Sequence, residues 1–180
     1  MQKNIILIGM PGAGKSTIGV ILAKRIGFHF IDTDLLIQAQ EKLRLQQIID
    51  IRGLENFRQV EEQVLLDLHT EHSVIATGGS VVYGKNGLKK LGESGVLIYI
   101  HVPLLLLQQR IADMGQRGLV MSKGQSFQDL YQERTPLYEK FADITIFSAE
   151  QNAEQVAAQI ERKLISLGNA LPSESHANRE

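Results

Sequence analysis

Asn4-Ile5-Ile6-Leu7-Ile8-Gly9-Met10-Pro11-Gly12-Ala13-Gly14-Lys15-Ser16-Thr17 decides the fold. Asn4 to Ile8 is a short apolar run of the length and character of a buried strand. From Ile18 onward the period changes, and Ile18, Ile21, Leu22 and Ile26 fall on one helical stripe. Between the two, Gly9 to Thr17 matches G-x-x-x-x-G-K-[ST] in the strand–loop–helix setting that this motif requires. Glycines let backbone N–H groups turn inward around phosphate oxygens, and the helix that follows presents its positive end to them. Lys15 is then placed to reach β- and γ-phosphates, and the Ser16 hydroxyl to ligate Mg²⁺.

Outward from this loop the same alternation repeats. His29 to Ile31, Ser73 to Ala76, Val96 to Ile100 and Ile144 to Phe147 read as further buried strands. The segments between them have helical spacing, with Phe57, Val60, Val64, Leu65 and Leu68 on one stripe and Leu104, Leu107 and Ile111 on a weaker one. Strands alternating with helices define an α/β protein with a five-stranded parallel sheet flanked by helices. Two regions depart from the alternation. Asp32 to Leu54, rich in Gln and Leu, reads as a helical insertion, and Met114 to Ser126 as a mobile glycine-bearing loop. The polar stretch from Gly168 to Glu180 is expected to be a loosely held tail.

The whole chain, 180 residues, fits one domain with a lid. Its 19 basic and 20 acidic side chains leave a formal charge of −1, so no bulk attraction favours nucleic acid or an anionic membrane. An anionic ligand must therefore be held by a local site. With no cysteine, disulfides, thiolate nucleophiles and zinc sites built on sulfur are excluded. The longest apolar stretch, Val96 to Leu107, is interrupted by His101 and Pro103 and falls short of the ~20 residues of a membrane span. The expectation is a soluble, untargeted protein of a reducing cytoplasm. The five histidines show no metal-ligand spacing.

A phosphate loop does not fix the reaction. Guanine recognition usually needs an N-K-x-D segment, which is missing, and motor ATPases need a larger core, so a kinase for a small acceptor leads. Asp32 and Asp34, spaced i, i+2 at the end of the second strand, suit a water-mediated Mg²⁺ contact and acceptance of a proton from a hydroxyl; a helix cap is the compatible alternative. Arg58 and Glu61, at i, i+3, are either a surface ion pair or a guanidinium fork for a carboxylate with Glu61 orienting it. Gly78 and Gly79 end a strand where backbone can approach a ligand or merely turn. Arg110, Arg117 and Arg134 either neutralise anions or lie on solvated faces.

Taken together, Gly9 to Thr17, Asp32-Thr33-Asp34, Phe57-Arg58-x-x-Glu61, Thr77-Gly78-Gly79, Arg117 and Arg134-Thr135-Pro136-Leu137-Tyr138 resemble the shikimate kinase family over about 165 residues. The resemblance implies the nucleoside monophosphate kinase fold, an acceptor-binding region at about 32–61, a lid at about 112–125, and ATP and Mg²⁺ as cofactors. It assigns Gly12, Ala13, Gly14, Lys15, Ser16 and Thr17 to ATP phosphates, and Ser16 and Asp32 to Mg²⁺. Asp34 falls to the acceptor hydroxyls, and Arg58, Arg134, Gly78 and Gly79 to the acceptor and its carboxylate. Arg117 is assigned to the transferring phosphoryl group and Arg110 to the adenine side, which makes Lys15, Asp34 and Arg117 the catalytic set. The implied activity is ATP:shikimate 3-phosphotransfer in aromatic amino acid biosynthesis, by a monomer acting on a small molecule.

Two departures from the family pattern stand out: Ser80 where a third glycine is usual, and Gly118 where the lid usually has proline. Ser80 is expected to stand beside the acceptor and alter its pocket, and Gly118 to loosen the lid. Ser80 motivates a second reading, a related kinase for another hydroxy acid such as gluconate. A third, of a different class, is a non-catalytic nucleotide-binding regulator.

Overall fold

The computed structural model describes residues 4–114, 120–121 and 124–168. Five parallel strands, β1 (Asn4–Ile8), β2 (His29–Asp32), β3 (Ser73–Ala76), β4 (Gly95–His101) and β5 (Ile144–Phe147), form one sheet in the order β2-β3-β1-β4-β5. Every strand of β1 to β5 lies on a segment read as a strand, with β4 longer by one residue at each end and β2 longer by Asp32. The helices are α1 (Lys15–Ile26), α2 (Thr33–Glu41), α3 (Leu45–Asp67), α4 (Lys85–Ser94), α5 (Leu104–Met114), α6 (Phe127–Phe141) and α7 (Ala153–Ser166), with a 3₁₀ turn at Val81–Tyr83.

All five residues of β1 are buried, as a central parallel strand covered by helices on both faces requires. Its register pairs Ile6 with Ile75 on β3 and Leu7 with Ile98 on β4. The chain leaves β1 for the far edge at β2, returns through β3, then crosses to β4 on the other side. The carboxyl end of β1 is therefore the switch point, where open α/β sheets bind ligands. β2 and β5 correct the expectation of uniformly buried strands. They are the sheet edges, and β5 alternates, with Ile144 and Ile146 inside and Phe147 exposed, because helices cover an edge strand incompletely.

The insertion is helical as its composition suggests, but it runs beyond Leu54. α2 is followed by α3, which is broken at Gly53 (φ 80°, ψ 167°). It has its own small core, in which Ile37, Ile48, Phe57 and Val64 meet Val120 from the segment after α5. The main core lies between the sheet and its helices, with α7 packed on α1 and β5. Among the described residues no helix is long and apolar enough to cross a membrane. Most of the glycine-bearing loop, Gly118 included, and the tail after Gly168 lie outside the described residues.

Candidate active site

The loop after β1 closes onto α1 through two glycines in the left-handed region, Gly12 (φ 80°) and Gly14 (φ 86°), where a side chain would strain the backbone. Lys15, buried in the first turn of α1, donates from Nζ to the carbonyls of Gly9 (2.8 Å) and Met10 (2.9 Å). Burial pulls its pKa down to about 8, against the pull of the Asp34 carboxylate. Ser16 and Thr17 are exposed. Arg110, on α5, donates from Nη1 to the Gly12 carbonyl (3.3 Å), which ties that helix to the phosphate loop.

Asp32 caps α2: its Oδ1 accepts from the amides of Asp34 (3.0 Å) and Leu35 (3.4 Å). Capping and a ligand role remain compatible, because Oδ2 makes no hydrogen bond within the described chain. Asp34 follows in the first turn. Its pKa is raised to about 6, chiefly by burial and then by Asp32, while Lys15 opposes the shift.

β3 runs into Thr77, whose hydroxyl donates to Leu7 O (2.9 Å) and fastens the turn to β1. The Gly78 amide donates to Thr33 Oγ1 (3.3 Å). A Cβ on Gly78 would lie 2.4 Å from Glu61 Oε1 and 2.8 Å from Asp34 Oδ1, so this glycine is the gap between two acids. A Cβ on Gly79 would strike Pro11 Cδ at 2.7 Å and approach Arg134 Nη1 at 3.2 Å. The two glycines therefore join the phosphate loop, the paired acids and Arg134 into one site.

Glu61 is not the partner of Arg58. No ion pair joins the two among the described residues; Glu61 is buried and its Oε2 accepts from the Ser80 hydroxyl at 2.6 Å. Burial raises the Glu61 pKa to about 7, against the Ser80 hydrogen bond. This also corrects the reading of Ser80, whose hydroxyl is committed to Glu61 rather than presented to an acceptor. Arg58 instead lies with its guanidinium 4.2 Å from the centre of the Tyr83 ring, and its Nε is buried with no partner.

Arg134 is completely buried on α6, which rules out the solvated-face alternative for it. Its Nε donates to the Tyr83 hydroxyl (3.2 Å) and its Nη2 to Val120 O (2.5 Å), while Nη1 has no partner. Tyr138, one turn on, donates to Gly79 O (2.5 Å). Sequence reasoning missed Tyr83. The signal was weak, an aromatic residue three positions after Ser80, and nothing local tells that two arginines converge on it. Arg117 lies outside the described residues.

A parallel sheet in this order, with a phosphate loop rising from its middle strand and paired acids where β2 passes into α2, makes the protein an ATP-dependent P-loop kinase of the nucleoside monophosphate kinase type. Residues 11–165 match the family model described as shikimate kinase. A shikimate kinase of Vibrio parahaemolyticus is 36% identical over 166 residues, covering 91% of this chain and 96% of that protein. One from Haemophilus influenzae is 36% identical over 163 residues, covering 88% and 91%. The structure of an Acinetobacter baumannii shikimate kinase in complex with shikimate is similar with a TM-score of 0.86 and 31% identity, over 93% of this chain and 95% of that one. The Aquifex aeolicus shikimate kinase gives 0.76 and 30%, over 92% and 98%. The chain belongs to the shikimate kinase family.

Proposed function

We propose that the chain transfers the γ-phosphoryl group of ATP to the 3-hydroxyl of shikimate. One observation carries the acceptor assignment: the buried Arg134 and the half-buried Arg58 each keep a buried donor nitrogen without a partner among the described residues. A buried cation held open in this way is costly unless an anion completes it. A carboxylate matches the planar fork geometrically. The Acinetobacter baumannii relative was solved with shikimate bound, an acid of this kind.

In this reading the amides of Gly12 to Thr17 and the Lys15 ammonium take the phosphates. Gly78 and Gly79 allow acceptor and phosphate loop to meet closely. Asp34 orients the attacking hydroxyl and takes its proton, and Arg117, by its place in the sequence, serves the transferring group. Phosphoryl transfer needs positioning and charge neutralisation more than a strong base, which fits a carboxylate of pKa about 6. The donor set also fits Mg²⁺. The exposed Ser16 hydroxyl and the free Oδ2 of Asp32 would hold it, and a cation that keeps most of its water needs no more protein ligands. When bound, the ion neutralises phosphate charge.

The same reading takes the protein as a cytoplasmic monomer acting on a small molecule. The gluconate-type alternative loses its motive now that the Ser80 hydroxyl is engaged by Glu61. The test is ADP release coupled to an indicator reaction, across a panel of hydroxylated carboxylic acids. Shikimate is expected to exceed gluconate in kcat/KM by about a hundredfold or more. Equal turnover of both would refute the acceptor assignment, and ATP binding with no turnover on any acid would favour the regulator.

A further inference from the structure

Tyr83 stands at the centre of the guanidinium pair, and the sequence motifs give it no role. Arg58 lies over its ring at 4.2 Å from the centroid and Arg134 at 5.2 Å. Its hydroxyl accepts from Arg134 Nε (3.2 Å) and donates to Glu133 Oε1 (2.5 Å). Among the described residues neither arginine has a carboxylate within ion-pair distance, although the charges of Glu61 and Glu133 are close enough to act on them.

We infer that Tyr83 is a positioning residue for acceptor recognition, an aromatic platform that holds Arg58 and Arg134 together while leaving both open to a carboxylate. An aromatic ring attracts a cation through its negative face but occupies no N–H donor. A carboxylate at the same place would tie up the donors and compete with an incoming anion; a small aliphatic side chain would hold neither guanidinium. The hydroxyl adds a directional anchor for Arg134 and passes the attraction of Glu133 to it without bringing that carboxylate onto the fork. The unpartnered Arg58 Nε and Arg134 Nη1 are what such a platform leaves available. Tyr83 sits on the 3₁₀ turn that follows Gly78 and Gly79, which ties its ring to the acceptor loop by a few residues of chain.

This inference rests on the proposed function for the site, though not on shikimate as the particular acid. The experiment compares wild type with Tyr83→Leu and Tyr83→Phe, using the acid from the panel that wild type turns over best and the carboxamide of the same acid. For Tyr83→Leu the acceptor KM should rise about five- to thirtyfold, from two cation–ring contacts on a half-buried ring. The KM for ATP should stay within about threefold. Tyr83→Phe, which keeps the ring, should recover most of the loss. The deciding readout is discrimination between acid and carboxamide, which should fall in Tyr83→Leu because the platform acts through carboxylate recognition. Equal losses on acid and carboxamide, an unchanged acceptor KM, or a parallel rise in the KM for ATP would each overturn the platform role. If wild type prefers an acid other than shikimate and discrimination still falls, the platform stands and only the acceptor assignment fails.

Discussion

Replacing Glu61 by Gln is the perturbation whose outcome follows most directly from the geometry. The side chain is 3% exposed, its Oε2 accepts from Ser80, and its Oε1 is buried without a partner beside Gly78. Burial raises its pKa from 4.5 to about 7. Between these two values the native state holds a proton that the unfolded chain has released, so this group makes stability fall as pH rises. At 1.36 kcal/mol per pH unit, a rise from 4.5 to about 7 amounts to about 3 kcal/mol once ionisation is complete. Most of that, about 2–3 kcal/mol, falls between pH 5 and pH 8.

Gln keeps the shape and an acceptor for Ser80 but cannot ionise. The ligand-free variant should therefore gain about 2–3 kcal/mol on wild type in going from pH 5 to pH 8, whatever its offset at pH 5. For a chain of this length that corresponds to a relative shift in Tm of about 5–10 °C. Urea unfolding followed at both pH values, with thermal melts alongside, measures it. A variant-to-wild-type gap that is the same at both pH values within about 0.5 kcal/mol would refute the account of Glu61 as a buried acid held protonated. Removing the Ser80 hydroxyl, which favours the charged form, should push the Glu61 midpoint higher still.

Two further outcomes are expected. The pH profile of kcat/KM should be bell-shaped, with an acid limb near 6 where Asp34 must lose its proton and an alkaline limb near 8 where Lys15 loses its charge. Bound nucleotide phosphates favour the charged lysine, so the alkaline limb of kcat alone should lie higher, and a kcat profile flat through pH 6 would count against Asp34 as proton acceptor. Gly78→Ala should leave the fold intact by circular dichroism yet lower kcat/KM by about a hundredfold or more, because its Cβ would enter the space between Glu61 Oε1 (2.4 Å) and Asp34 Oδ1 (2.8 Å) and displace the latter. Activity near that of wild type would show that neither acid needs its present position.

The five strands, the phosphate loop and the acids after β2 were legible because each is written in contiguous residues. A buried strand declares itself by an unbroken apolar run, and the loop by glycines and a lysine at fixed offsets. What the sequence hid is made across elements. Ser80 meets Glu61 across 19 residues, Tyr83 meets Arg134 across 51, and Tyr138 meets Gly79 across 59. The error over Arg58 and Glu61 shows why. A spacing of i, i+3 places two opposite charges within reach on an exposed helix, and there pairing is the natural expectation. On the face of α3 that packs against other elements each charge meets partners from those elements, and which of them prevails depends on tertiary distances that no local pattern carries.

That failure has a chemical reason. Had Arg58 paired with Glu61 as the spacing suggests, both charges would be satisfied within the chain and neither would have much to offer a ligand. The fold keeps them apart: burial favours the protonated form of Glu61, whose partner is a neutral hydroxyl, and Arg58 is given an aromatic face. Arg134 is treated in the same way, with a tyrosine hydroxyl and a backbone carbonyl in place of a carboxylate. Buried cations left with open donors lower the stability of the empty protein, and the same open donors are what an anionic acceptor completes on binding. On the proposed function, a site built this way departs from the local rules of charge pairing at the positions assigned to the acceptor, which are the positions where sequence reading went wrong.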